Sequence, residues 1–146
     1  MEVEPNDSIG LADSTGVDPL LGEYSTSFSA YIGNGYYSDT SGDYDFYSLY
    51  ADSGDTISAD TYGTEDYYGT DTVLALYDSS GTLLATNDDA YSGTSDSDLT
   101  YDVSSTDQYY VAVWGYGSGD PADPFSSGTG GGVGSIGDYD IYISAV

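Results

Sequence analysis

The chain carries 26 Asp and Glu residues and no Lys, Arg or His, an asymmetry that limits what it can fold into more than any other feature. No side-chain salt bridge can form, so carboxylates gathered by folding repel one another within a screening length of about 8 to 10 Å. Repulsion of this kind opposes compaction, and bound cations are the simplest remedy. The same absence removes the electrostatic attraction on which nucleic-acid binding depends and repels the chain from anionic membrane surfaces. No apolar run approaches the roughly 20 residues of a membrane span, so neither nucleic acid nor membrane insertion is expected. Without His, Lys or Cys, the usual activated nucleophiles and bases are missing, which argues against an enzyme. Carboxylate pairs remain, and Asp52-Ser53-Gly54, which matches a short aspartic-protease signature, reads as a turn.

A composition this acidic is ordinarily disordered. Here 18 Tyr and one Trp supply large apolar area with a polar tip, and they fall in alternating runs separated by Gly, Asp, Ser and Asn clusters. Those runs predict strands at 28–33, 44–50, 56–62, 72–77, 82–86, 99–103, 108–116 and 139–145, with helical periodicity confined to the vicinity of Ser8 and Ala12. Asp78-Ser79-Ser80-Gly81 predicts a hairpin turn. The expected fold is all-β: one antiparallel, jelly-roll-like β-sandwich of about eight strands spanning residues 1–146. Residues 1–24 form an acidic N-terminal segment, and residues 117–137 read as a Gly/Ser/Pro-rich inserted loop.

Within the leader, Glu2, Glu4, Asn6 and Asp7 place four oxygen-bearing side chains in six residues. Hard cations such as calcium take six to eight oxygen ligands. Asp39, Asp43 and Asp45 follow, and the two-residue period of a strand puts Asp43 and Asp45 on one face, able to converge on a common ion. The competing reading is a set of solvated turn carboxylates. A further oxygen-rich set, Asp71, Asn87, Asp88, Asp89 and Asp98 with Ser95 and Asp96 nearby, is a candidate second calcium site or an acidic hairpin loop.

Taken in order, Glu4-Pro5-Asn6-Asp7-Ser8, Asp43-Tyr44-Asp45-Phe46-Tyr47-Ser48-Leu49, Gly54-Asp55-Thr56-Ile57, Asp71-Thr72-Val73-Leu74-Ala75-Leu76-Tyr77-Asp78, Gly81-Thr82-Leu83-Leu84-Ala85, Asn87-Asp88-Asp89 and Tyr109-Tyr110-Val111-Ala112-Val113 form a succession over nearly the whole chain. In this succession the chain resembles the bacterial pre-peptidase C-terminal domain family, to which the collagen-binding domains of clostridial collagenases are similar. The resemblance implies a jelly-roll-like sandwich without catalytic activity, usually appended to secreted enzymes. It also implies calcium held by Glu4, Asn6, Asp7, Asp43 and Asp45, with Glu2 and Asp39 less firmly placed. The 117–137 segment is longer than the family pattern.

Both faces of two strands are aromatic or apolar. One face carries Tyr47 and Leu49, or Tyr109, Val111 and Val113. The other carries Tyr44, Phe46 and Tyr50, or Tyr110, Trp114 and Tyr116. Contiguous exposed aromatic surface marks an interaction site; the bland alternative is β-propensity alone. Two functions follow for an extracellular, secreted or cell-surface chain. One is a calcium-stabilised structural subunit that assembles with copies of itself into a filament, layer or matrix, with the acidic leader adding as a strand to a neighbour's sheet. The other is a targeting or adhesion module that binds an extracellular protein or polysaccharide for a secreted enzyme.

Overall fold

The computed structural model describes residues 2–33, 42–62 and 70–146. Among them are nine strands: β1 (Asp13–Ser14), β2 (Ser25–Ile32), β3 (Tyr44–Ala51), β4 (Thr56–Tyr62), β5 (Thr72–Tyr77), β6 (Leu83–Asn87), β7 (Asp98–Asp102), β8 (Asp107–Gly115) and β9 (Gly137–Ala145). The eight expected strands are all present, with ends shifted by a few residues at most. The helical signal near Ser8 condenses into one 3-10 turn, Ile9–Leu11. Two sheets, ordered β1-β3-β8-β5-β6 and β2-β9-β4-β7, form the sandwich. It is antiparallel except at β1, which pairs parallel to β3.

Alternation builds the core. Tyr47, Leu49, Leu74, Leu76, Tyr109, Val111 and Val113 of the first sheet meet Ile57, Ala59, Leu99, Tyr139, Ile141 and Ile143 of the second, all buried in one cluster. Each such Leu, Ile or Val contributes about 1.5–3 kcal/mol relative to exposure. Gly81, with φ +80°, occupies the β5–β6 turn, where the backbone conformation disfavours any side chain.

The outer face of the five-stranded sheet corrects the expected interface. Tyr44 is 1%, Phe46 0% and Trp114 2% exposed. They pack with Ile9, Ala75, Tyr77 and Ala112 into a second apolar cluster against which Ala12 and Tyr110 rest. The cover is the chain itself. The N-terminal segment lays Ile9 over this face, and the β8–β9 loop is tied to that segment where Ile9 N donates to Pro124 O at 2.8 Å. Tyr44 Oη donates to Gly119 O at 2.6 Å. Of the six aromatics expected at the surface, Tyr50 and Tyr116 are well exposed and Tyr110 is half-buried.

The N-terminal segment also occupies the free edge of β3. Thr15 N donates to Ser48 O at 3.0 Å and Tyr50 N to Val17 O at 2.9 Å, so the segment completes its own sheet. Along its β3 side the segment is paired within the chain, and β1 then stands at the edge of the five-stranded sheet.

Candidate metal centre

Asp43 immediately precedes β3 and Asp45 is its second residue, and the strand period places both on the inner face, in line with Tyr47 and Leu49. They therefore sit at the rim of the sandwich, between the sheets. Phe46 N donates to Asn6 O at 3.0 Å, which lays residues 4–7 against the start of β3; the Glu4–Pro5 peptide there is cis. Asn6, Asp7, Asp43 and Asp45 are all buried, at 0%, 4%, 2% and 0% exposure. Backbone donors hold the surrounding carboxylates: Tyr31 N to Glu2 Oε2 at 2.7 Å, Gly33 N to Asp43 Oδ2 at 2.7 Å and Asn6 N to Glu4 Oε2 at 3.2 Å.

Ligand oxygens of Glu4, Asp7 and Asp43 lie within 4.8 Å of one another, and so do those of Glu2, Glu4 and Asp45. The leader acids and the strand acids are thus brought together, in two overlapping groups that share Glu4. Asn6 stands between them. With its amide nitrogen toward the carboxylates it donates to Glu4 Oε2 at 3.1 Å and Asp45 Oδ1 at 3.2 Å. With its oxygen toward the same carboxylates it is a further ligand to an ion held among them, as expected from the sequence, since oxygens that share a cation face one another. Asp39 lies outside the described residues.

The electrostatics are those of crowded, desolvated like charges. Burial, with Asp43 beside it, pushes the Glu4 carboxyl up to about 8. The same two causes push Asp7 to about 6. Asp45 is driven well above the carboxylate range by burial, then by Asp43 and Glu2, against the pull of the Tyr139 hydroxyl. Both Asp7 oxygens and Glu4 Oε1 are buried without a hydrogen-bond partner. Buried polar atoms are nearly always partnered, and a hard divalent cation provides what is missing: positive charge and a partner for oxygen. The residues present fit such an ion.

Tyr139 and Tyr47 were not legible as site residues. Tyr139 Oη donates to Asp45 Oδ2 at 2.6 Å, and its own oxygen lies 2.8 Å from the Tyr47 hydroxyl. Alternation marks both as inward-facing, but nothing in the sequence pairs a β9 tyrosine with a β3 aspartate.

The second oxygen-rich set is only partly assembled. Asp71, Asp88 and Asp89 bring oxygens within 4.8 Å of one another, and Asp71 Oδ1 and Asp88 Oδ1 are buried without a hydrogen-bond partner. Burial raises both carboxyls, with Asp88 and Asp89 adding to the shift at Asp71 and Asp89 to that at Asp88. Asn87 and Asp98 do not join them. Asn87 Oδ1 accepts from Asp98 N at 2.9 Å and its Nδ2 donates to Asp89 O at 3.3 Å, so it clasps the loop. Asp98 belongs to the opposite sheet, where the ladder sets it across from Asp60. Burial and the hydrogen-bonded Asp98 carboxyl push Asp60 up to about 6.

The family model of the bacterial pre-peptidase C-terminal domain matches residues 43–115, half of the chain. Two solved structures share the fold. One is PliG from Aeromonas hydrophila, a periplasmic inhibitor of g-type lysozyme: TM-score 0.57 and 13% identity, covering 92% of this chain and 96% of that one. The other is the pre-peptidase C-terminal domain of a Bacillus anthracis collagenase: TM-score 0.53 and 17% identity, covering 92% and 94%. Identities this low speak for the fold alone. No curated protein sequence matches, and no described helix is long and apolar enough to cross a membrane.

Proposed function

The chain belongs to the bacterial pre-peptidase C-terminal domain family, and from that premise we propose that it is a non-catalytic accessory module acting outside the cytoplasm, its fold completed by calcium. Glu2, Glu4, Asp7, Asp43 and Asp45 are the ligand carboxylates of this reading, and the Asn6 amide oxygen joins them. A single observation carries it: the Asp7 side chain is buried and neither of its oxygens meets a hydrogen-bond partner. An oxygen-only donor set suits a hard cation, and calcium tolerates its irregular geometry better than magnesium. The test is calorimetric titration of metal-free protein with calcium. Saturable binding that disappears in an Asp7→Asn, Asp43→Asn double variant supports the reading; no heat in the wild type rejects it.

Self-association is a second reading, supported by a different surface from the one expected in the sequence. Leu20 is 74% and Leu21 76% exposed on the 3-10 turn Pro19–Leu21. Leu21 borders a depression of about 240 Å³ that Val17 and Tyr50 also line. Calcium would act first, since charges of −26 per copy keep copies apart. Light scattering over a calcium titration distinguishes the readings. Polymers that vanish on Leu20→Ser with Leu21→Ser favour a structural subunit. A monomer at high concentration leaves the accessory module, with an extracellular protein or polysaccharide as its partner.

A further inference from the structure

A cleft of about 410 Å³ opens on the outer side of the five-stranded sheet, lined among others by Val73, Trp114, Tyr116, Gly119, Asp88 and Asp120. Its size falls within the roughly 300–1,000 Å³ of small-molecule sites. Val73 and Trp114 are cross-strand partners on β5 and β8 and form an apolar base. Tyr116 and Asp120 come from the loop that follows β8, and Asp88 from the chain beyond β6. The loop is held before any ligand arrives: Tyr44 Oη donates to Gly119 O at 2.6 Å, Gly131 N to Ser118 O and Tyr116 N to Asp71 O, each at 2.8 Å.

The chemistry of this lining selects a charge and a shape. Asp88 and Asp120 line it, and the chain has no cationic side chain anywhere, so an anion is repelled. A neutral sugar could donate its hydroxyls to the same carboxylates but would leave their two charges uncompensated, which a cation neutralises. Aromatic and aliphatic surface beside two carboxylates suits an alkyl chain that ends in a positive, donor-only head. Asp88 Oδ1, buried without a hydrogen-bond partner, is an acceptor that such a head can engage. We propose that the cleft binds a primary alkylammonium group, with its methylenes against Val73 and Tyr116 above the buried Trp114 ring and its ammonium between Asp88 and Asp120. Two sources share that chemistry, a lysine side chain on a partner protein and a free diamine.

Trp114 is the single tryptophan of the chain, so its selectively excited fluorescence reports on the cleft directly. The full chain, kept free of calcium so that Asp88 Oδ1 is open to the ammonium and shown to be folded by its melting curve, is titrated with 1,5-diaminopentane, with a lysine-rich peptide, and with the same peptide acetylated at every Nε. The expected result is a saturable change with the two amines and none with the acetylated peptide, weakened about ten-fold by Asp120→Asn or Tyr116→Ala. Both residues are exposed in their lining positions, and unchanged melting curves confirm that the variants fold. Tighter binding of the peptide assigns the site to a protein partner, and tighter binding of the diamine to a free amine. A response that survives acetylation, a response only to calcium or to a neutral disaccharide, or no saturable change overturns the proposal.

Discussion

Tyr139 donates its hydroxyl proton to Asp45 Oδ2 at 2.6 Å inside the sandwich. Because that proton is spent, the Tyr47 hydroxyl 2.8 Å away donates in turn to the Tyr139 oxygen, and the three groups form a directed chain from the core to the carboxylate cluster. Tyr139→Phe removes the donor with almost no change in volume and leaves a wholly buried carboxylate oxygen short of a partner. A loss of about 1–3 kcal/mol is expected, measured as a lower urea midpoint at unchanged slope, together with weaker calcium binding. An unchanged midpoint would mean that the hydroxyl contributes nothing to holding Asp45.

The raised carboxyls give metal-free protein an inverted pH profile. Glu4 moves from 4.5 to about 8 and Asp7 from 3.8 to about 6, so the folded state holds protons that the unfolded chain has released. The stabilisation is complete below the unfolded values and disappears as pH rises through the folded ones. Melting temperature of the metal-free protein should therefore fall between about pH 4 and pH 8. If calcium binds the ionised carboxylates as proposed, saturating calcium should flatten or reverse the slope. A metal-free profile that rises over this range would contradict the crowding at the site.

Glu4 belongs to both carboxylate groups, and its replacement should act with opposite signs in two conditions. Above about pH 8, where the Glu4 carboxyl is ionised, Glu4→Gln relieves repulsion in metal-free protein and raises its melting temperature. The same change removes a shared ligand and shrinks the gain on adding calcium, which at about 100 times the dissociation constant amounts to ~2.7 kcal/mol for an intact site. Glu2→Gln touches one group and should keep more of that gain. Scanning calorimetry of both variants with and without calcium checks the ranking.

The outer aromatic cluster should behave as core. Phe46→Ala or Trp114→Ala is expected to cost about 3–5 kcal/mol in denaturant unfolding, as for large buried side chains. Tyr50→Ser, at an exposed position of the same strand face, should stay within about 0.5 kcal/mol. Equal small effects at all three would return these residues to the surface.

Much of the fold was legible because a β-strand writes its period locally. The two-residue alternation of Tyr44 through Tyr50 sorted Tyr47 and Leu49 from Tyr44 and Phe46, and put Asp43 and Asp45 on one face. Turn residues bounded the strands, with Gly81 marking the β5–β6 turn. Asp98 was misplaced for the opposite reason. It lies close in sequence to Asp88 and Asp89, yet the chain crosses between sheets there and carries it to Asp60.

By itself, the sequence determined that the chain is acidic enough to need counter-charge, that it forms a sandwich of about eight strands, and which acids lie at the leader and at the start of β3. Each of these follows from composition or from contacts between near neighbours along the chain. Only the tertiary structure decided which aromatic face is covered, that Glu4 joins two carboxylate groups, and that a β9 tyrosine holds a β3 aspartate. Those outcomes depend on contacts between segments far apart in sequence. Period-2 alternation says that a strand has two faces, but what packs against each is set by the burial of the whole chain.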